Sequence, residues 1–167
     1  TEALGMRLPV EIIYNPIRRL EVIREQHDGV RIGYLGAFAR RKNIPMLVEV
    51  FDRLHVRFKA TELWLCGAKN PGEIEEMCAL SSQCGSSVKV LPATDDVASF
   101  FAQIDIFVLP SYVETMPLVV LEALQAGVCV LQTTQSGMSE LLWHKKDCLF
   151  FPPTRADILE EQLLSCM

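Results

Sequence analysis

The feature that most constrains this chain is the alternation of short apolar runs with longer segments of helical periodicity. Five runs have the length and composition of strands, at residues 30–35, 62–66, 88–91, 104–109 and 128–132. Several are apolar at almost every position, as strands covered on both faces of a parallel sheet are. Helical patterns occupy residues 45–58, 72–83, 95–103, 117–126 and 156–164, with a shorter one at 137–143. This order predicts an α/β layer fold with a mainly parallel sheet.

The predicted fold narrows the search for a functional site to one edge of the sheet. Right-handed crossovers bring the carboxyl ends of parallel strands, and the loops that follow them, to the same rim. Open sheets of this kind bind their ligands at that rim. The candidate loops therefore follow Leu35, Cys66, Leu91, Leu109 and Gln132.

Composition limits the class of protein. With 167 residues, 50% of them hydrophobic and 22% charged, the chain is long enough for one globular domain with a core. A formal net charge of -5 argues against a nucleic-acid partner, since such proteins usually carry a basic surplus. No apolar run approaches the roughly 18 residues of a membrane span, and no signal peptide opens the sequence.

The cysteines and histidines suggest no metal site. None of the six cysteines forms a C-x-x-C pair, and no histidine lies at ligand spacing from any of them. The cysteine pattern fits a reducing cytoplasm better than a secreted disulfide scaffold. We expect His27, His55 and His144 to be surface residues, because each lies in a polar segment without a neighbouring nucleophile.

The first 29 residues lack the alternating pattern. Residues 10–14 predict one strand, Asn15-Pro16 is a turn signal, and a polar segment follows. We interpret residues 1–29 as a linker with an edge strand, and residues 30–167 as the domain.

The most informative segment is 110–127, which follows a predicted buried strand and enters a helix. That helix is apolar almost all round, and its one charged residue is Glu122. A lone buried carboxylate is costly unless donors reach it, and the vicinal hydroxyls of a sugar would supply two. A solvent-facing stripe, or a Lys or Arg partner, would explain Glu122 equally well. The helix pattern leaves these alternatives open.

Glu114 lies in the loop before the same helix, where its carboxylate could accept from a ligand or simply stay solvated near the helix start. The backbone amides at that start, from Met116 to Val119 except Pro117, are free donors suited to a phosphate.

A second segment places Arg40, Arg41 and Lys42 between the end of a strand and the start of a helix. Cations there oppose the helix dipole at a cost of about 0.3–1 kcal/mol each near the surface. Their placement is favourable if an anion binds, and Arg with Lys suits a diphosphate. A solvated basic turn is the alternative. The segment is neither a Walker loop nor a GxGxxG fingerprint.

Taken together, these segments resemble the C-terminal donor domain of retaining GT-B glycosyltransferases of family 4. The resemblance covers about residues 30–153, and its strongest element is the E-x7-E motif. Glu114 and Glu122 form that motif between Phe107-Val-Leu-Pro-Ser and Ala-Leu-Gln-Ala-Gly127. Further matches are residues 32–36, 63–67, 95–97 with 102–105, and 136–140. The resemblance implies a Rossmann-like, three-layer domain that forms the C-terminal half of a GT-B fold.

The resemblance also implies roles for particular residues. Glu114 would contact hydroxyls of the transferred sugar and Glu122 the ribose, while Arg41 and Lys42 would bind the diphosphate. The remaining donor-sugar and phosphate contacts would come from Thr115, Met116, Pro117, Leu118 and Val119. Leu91 would lie near the base, with Gly36, Arg40 and Gly67 as weaker candidates.

Two positions depart from the family pattern: Ala37 stands where members often have Arg, and Cys148 where they tend to have Gly.

The implied function is transfer of a sugar from a nucleotide-diphosphate sugar to an acceptor, in polysaccharide, lipopolysaccharide or glycolipid synthesis. The resemblance implies no cofactor and no metal in this domain. It implies a cytoplasmic protein, with peripheral contact to the inner face of the membrane left open, and an N-terminal acceptor domain as partner. Without that domain we expect little or no transfer. The alternative is a non-catalytic nucleotide-sugar-binding or protein-interaction domain of the same fold.

Overall fold

The computed structural model describes Glu11 and residues 13–167. Six strands lie at β1 Val30–Leu35, β2 Thr61–Ala68, β3 Val88–Pro92, β4 Ile106–Leu109, β5 Cys129–Thr133 and β6 Leu149–Phe151. Five helices lie at α1 Ile44–Arg57, α2 Pro71–Cys78, α3 Val97–Ala102, α4 Leu118–Gln125 and α5 Ala156–Cys166. Short 3-10 turns lie at Arg40–Lys42 and Gly137–Glu140.

The sheet is parallel throughout, in the order β3-β2-β1-β4-β5-β6. This is the strand order of dinucleotide-binding Rossmann folds, in which the direction of winding reverses between β1 and β4. Helices cover both faces, so the central strands are buried on both sides and β4 has no exposed residue. The prediction of a three-layer, Rossmann-like α/β domain is confirmed.

The elements differ from the predicted ones mainly at their ends. Helix α3 begins two residues later than predicted, because the Asp96 side chain accepts from the Ser99 amide and acts as its N-cap. Helix α2 ends at Cys78 rather than at residue 83. Beyond it the Ser81 hydroxyl donates to Asp52 and accepts from the Gln83 amide, and such local bonds compete with helix.

Strand β6 was missed because it is only three residues long and has no periodicity of its own. It forms by pairing with β5, from Leu131 opposite Leu149 to Thr133 opposite Phe151. The predicted strand at residues 10–14 lies partly outside the described residues. Its described positions, Glu11, Ile13 and Tyr14, have no regular structure.

Three expectations about histidine and cysteine side chains were wrong. The side chain of His27, expected on the surface, is only 7% exposed. His55 is buried rather than on the surface, and its ring nitrogens lie 3.1 Å from the hydroxyls of Thr61 and Ser87. The cysteine pattern favoured a reducing environment over a disulfide scaffold, yet Cys78 and Cys84 form a disulfide with Cα atoms 5.2 Å apart. The disulfide was not predictable, because no C-x-x-C spacing marks these two cysteines. The burial of His55 could have been predicted, because His55 lies four residues after Phe51 on the buried face of α1.

Candidate functional site

A cleft of about 400 Å³ lies at the carboxyl ends of the strands, where β1 and β4 meet. Its walls come from the ends of β1 and β2 with the loops that follow them, from the loop after β3 with the start of α3, and from the start of α4 with the loop before it. The lining residues are Leu35, Gly36, Ala37, Lys42, Gly67, Lys69, Ala93, Thr94, Val97, Glu114, Pro117, Leu118, Val119 and Glu122. The cleft therefore occupies the rim predicted from the sequence, at the point where the winding of the sheet reverses.

The wall between β1 and β4 carries a compact charged cluster centred on Glu114. Its Oε1 accepts from Lys42 Nζ at 2.5 Å, from the Ser111 hydroxyl at 2.8 Å and from Arg41 Nη1 at 3.2 Å. The side chains of Glu114 and Lys42 are only 9% and 13% exposed, whereas that of Arg41 is 56% exposed. All three donors converge on one oxygen, and Glu114 Oε2 accepts from none of the described residues.

Two opposing effects set the pKa of the Glu114 carboxyl. Burial raises it, but the hydrogen bonds from Lys42 and Ser111 and the charges of Lys42 and Arg41 lower it by more. The net pKa is below the ordinary value for glutamate. Glu114 is therefore a carboxylate at neutral pH, and the two cations beside it are held in place before any ligand arrives.

Local backbone geometry brings the two loops of this cluster together. Residues Arg40–Lys42 form a 3-10 turn, which Asn43 ends with a left-handed φ of 54°. The Asn43 side-chain amide donates to the Pro153 carbonyl at 2.9 Å, which fixes this turn against the chain beyond β6. The Tyr112 amide donates to the Arg41 carbonyl at 2.9 Å, so the loop after β4 is bonded directly to the basic turn.

The loop before α4 is held from its other side by the chain after β5. The Glu114 amide donates to the Gln135 carbonyl at 2.9 Å, and the Gly137 amide donates to the Glu114 carbonyl at 3.0 Å. Gly137 is required for this approach, because a Cβ there would lie 2.1 Å from the Thr115 carbonyl oxygen. The backbone of Glu114 is thus fixed by two hydrogen bonds and a close backbone contact.

Glu122 lies one to two turns into α4 and lines the same cleft as Glu114 and Lys42. It is half-buried, and its carboxylate makes no ion pair or hydrogen bond with any residue that the structure describes. Burial raises its pKa above the ordinary value. The helix pattern left three explanations for Glu122: ligand hydroxyls, exposure to solvent, or a Lys or Arg partner. The structure excludes the third explanation for the described residues.

The start of α4 offers backbone donors to the cleft. Pro117 is its N-cap and has no side-chain acceptor, and the first turn holds no acidic residue. In α2 and α3, by contrast, Asn70 and Asp96 accept from the first-turn amides. The amides of Leu118 and Val119 therefore lie uncapped beside the cleft, where the dipole of α4 favours an anion.

The structure brings most of the predicted site residues together. Those that line the cleft are Gly36, Lys42, Gly67, Glu114, Pro117, Leu118, Val119 and Glu122. Arg41 reaches it through Glu114. The remaining predicted residues, Arg40, Leu91, Thr115 and Met116, do not line it. Leu91 lies in a separate hollow with Trp64 and Phe100, and beyond the end of β3 the cleft is lined instead by Ala93 and Thr94.

Sequence reasoning missed Ser111 and Lys69. Ser111 is fully buried and holds Glu114 through its hydroxyl, while Thr133 Oγ1 donates to its carbonyl at 2.8 Å. Lys69 lines the cleft from the loop after β2. Both follow strands at the predicted rim, so their positions alone could have marked them as candidates.

Two searches of the described part of the chain gave negative results. Among those residues, no three or more His, Cys, Asp or Glu side chains are grouped so as to hold a metal ion. Within the same residues, no helix combines the length and apolar character needed to cross a membrane.

The fold and the cleft together define a Rossmann-like α/β domain with a charged site at its topological switch point. Comparison with known families identifies it further. The chain belongs to the family described as glycosyl transferases group 1, whose model matches residues 29–167.

Known relatives and solved structures agree with this family. The chain is 31% identical over 115 residues to the lipopolysaccharide core biosynthesis glycosyltransferase LpsE of Rhizobium meliloti, covering 68% of this chain and 31% of that protein. It resembles the C-terminal domain of the group 1 glycosyl transferase LpcC of Francisella tularensis, with a TM-score of 0.69 and 17% identity over 81% of this chain and 74% of that one.

Anabaena HepE, solved in complex with UDP and glucose, has a TM-score of 0.73 and 19% identity, over 83% of this chain and 38% of that one. At such identities the two structural matches show the fold alone. The chain spans 31% of the length of LpsE and 32% of a glycosyltransferase of Haemophilus influenzae that it also matches.

Proposed function

We propose that this chain is the donor-binding half of a retaining glycosyltransferase of family 4, which transfers a sugar from a nucleotide-diphosphate sugar. One observation carries the proposal: Glu114, held by Lys42 and Arg41, shares a cleft with the unpartnered Glu122 at the switch point of the sheet. Two carboxylates flanking cations and free helix amides suit a ligand that has hydroxyls at both ends of a diphosphate.

The free acceptor atoms support separate roles for the two glutamates. Glu114 Oε2 accepts from none of the described residues, so it can accept from a hydroxyl of the transferred sugar. Glu122 can accept from two vicinal ribose hydroxyls, which would supply the hydrogen bonds that its half-buried carboxylate lacks. The resemblance of HepE, solved with UDP and glucose, favours a nucleotide sugar as the ligand.

Lys42, Arg41 and the amides of Leu118 and Val119 would stabilise the leaving diphosphate. As the bond between the anomeric carbon and the phosphate oxygen breaks, the electron pair goes to that oxygen and negative charge develops on the diphosphate. Cations already fixed by Glu114 need little rearrangement to meet that charge, which is the condition for effective electrostatic stabilisation. On this proposal the domain requires no metal, and the acceptor is held by an N-terminal domain.

The family members named above indicate the biological setting. LpsE is a lipopolysaccharide core biosynthesis enzyme. We infer that the full protein acts in polysaccharide, lipopolysaccharide or glycolipid synthesis, in the cytoplasm, with peripheral contact to the inner membrane face where its acceptor is a lipid.

Calorimetry of the chain against UDP-, GDP- and ADP-sugars tests the proposal. We expect one nucleotide series to bind, and Glu122→Ala to weaken that binding about tenfold or more, because two hydrogen bonds to a charged acceptor are lost. Glu76→Ala, an exposed glutamate on α2 outside the cleft, is the matched control and should bind as the wild type does. Unchanged binding by Glu122→Ala would remove Glu122 from the ribose role.

A further inference from the structure

One lysine that lines the cleft, Lys69, has no ion-pair partner among the described residues. Lys42 is already paired with Glu114, and so is Arg41 at the edge of the cleft. Lys69 lines the same cleft, yet its ammonium makes no ion pair with any residue in the described ranges, 11 and 13–167. Its acidic neighbour Glu73 accepts from the Lys69 backbone amide at 2.9 Å and forms no ion pair with the Lys69 ammonium.

The backbone places Lys69 beside the loop after β1. Strands β1 and β2 pair up to Leu35 opposite Cys66, and the Gly36 amide then donates to the Cys66 carbonyl at 2.9 Å. At Gly67, φ is 150° and a Cβ would lie 1.9 Å from the Gly36 carbonyl oxygen, so the two loops touch. Ala37 and Lys69 follow these contacts on adjacent loops and both line the cleft.

The small side chain of Ala37 leaves its part of the cleft wall without a charge. A lysine side chain from the neighbouring loop is long and flexible enough to supply one there. The start of α2 fixes the base of that side chain. Asn70 Oδ1 accepts from the Glu73 amide at 3.1 Å, and Glu73 in turn accepts from the Lys69 amide, a reciprocal capping arrangement.

The net charge of the side chains around the cleft indicates which ligand Lys69 would bind. Arg41, Lys42 and Glu114 together carry one net positive charge, which Glu122 cancels. A diphosphate is multiply negative, so it needs a further cation, and Lys69 is the lysine of the described lining that is free to serve. We propose that Lys69 binds the diphosphate of the ligand and sets the preference of this cleft for diphosphates over uncharged nucleosides. This inference rests on the proposed function.

The experiment compares the affinities of UDP, GDP and ADP, and of the corresponding nucleosides, for the wild type and Lys69→Met. Methionine keeps most of the length of the side chain and removes its charge. We expect diphosphate binding to weaken about five- to tenfold at low salt, as for loss of a partly exposed charged contact, with nucleoside binding unchanged. Lys69→Arg should bind diphosphates about as the wild type does.

Two further variants make the test specific. Lys59→Met removes an exposed lysine at the opposite edge of the sheet, before β2, and should leave all affinities unchanged. Ala37→Arg in the Lys69→Met background should restore part of the lost affinity, because it returns a cation to the adjacent loop. Equal diphosphate binding by Lys69→Met and the wild type would overturn this inference alone. Failure of the wild type to bind any of the three nucleotides would overturn the proposed function as well.

Discussion

Glu114 is stabilised as an anion by two cations that are distant in sequence and by one nearby hydroxyl. Burial of its carboxylate is unfavourable, and the charges of Lys42 and Arg41 with the Ser111 hydroxyl outweigh that cost. The E-x7-E spacing was visible in the sequence, but the ion pair was not, because Lys42 and Glu114 are 72 residues apart. Only the adjacency of β1 and β4 brings them together.

Replacing Lys42 tests whether its charge offsets the cost of burying the Glu114 carboxylate. We expect Lys42→Met to lower the free energy of unfolding at pH 7 by about 1–3 kcal/mol, because a largely buried carboxylate loses its nearest counter-charge while Arg41 and Ser111 remain. The pKa of Glu114 is lowered in the folded protein, so its contribution is present above the ordinary glutamate pKa and is lost as the pH falls through the folded value. The difference in free energy of unfolding between variant and wild type should therefore narrow as the pH falls below the ordinary glutamate pKa and through the folded value.

Urea unfolding at several pH values measures this effect. The double variant Lys42→Met with Glu114→Gln should recover part of the lost stability at pH 7, since it leaves no buried charge unpaired and the remaining Arg41 is 56% exposed. The exposed Lys59→Met serves as the control for loss of a lysine. A stability difference that stays constant from pH 7 to pH 3 would contradict the assigned pairing.

At the scale of elements, the loop between β4 and α4 depends on the chain after β5. Helix α4 itself was predictable from its apolar periodicity and Pro117, and its bounds are within one residue of the prediction. The position of the preceding loop was not predictable. It depends on the backbone bonds of Glu114 to Gln135 and Gly137, which form only when β4 and β5 pair.

Gly137→Ala tests this dependence. The added methyl group would lie 2.1 Å from the Thr115 carbonyl oxygen, so the two loops must separate. We expect a loss of about 1–3 kcal/mol in the free energy of unfolding, as for overpacking, together with weaker nucleotide binding. Gly72→Ala in the first turn of α2 is the control, because the nearest atom to its methyl would be Asn70 Oδ1 at 3.2 Å. Native-like binding and stability in Gly137→Ala would show that the loop is not held there.

At the scale of the whole molecule, the order of the strands creates the site. The winding reverses between β1 and β4, and the cleft lies at this switch point. Every strand contributes its carboxyl end to one rim, so residues from four separate loops converge there. The chain nevertheless spans only 31% of the length of LpsE.

This partial coverage leads to a prediction for the isolated chain. We expect the 167 residues to bind a nucleotide sugar but to transfer little or no sugar, because an acceptor would be held by another domain. The measurement is release of nucleoside diphosphate from the donor that binds best, with and without candidate acceptors. Robust turnover by these residues would contradict the two-domain proposal. Binding by a full-length protein without any turnover would favour the non-catalytic alternative.

From the sequence alone we could predict the alternation of strands and helices, the rim at which the cleft lies, and the two glutamates with the basic pair near it. These features follow from the periodicity within each segment and from the order of the segments along the chain. The pairing of Glu114 with Lys42 and the formation of strand β6 became visible only in the folded chain. Each of these depends on which strands are neighbours, and strand neighbours are chosen by burial of the whole core rather than by any single segment.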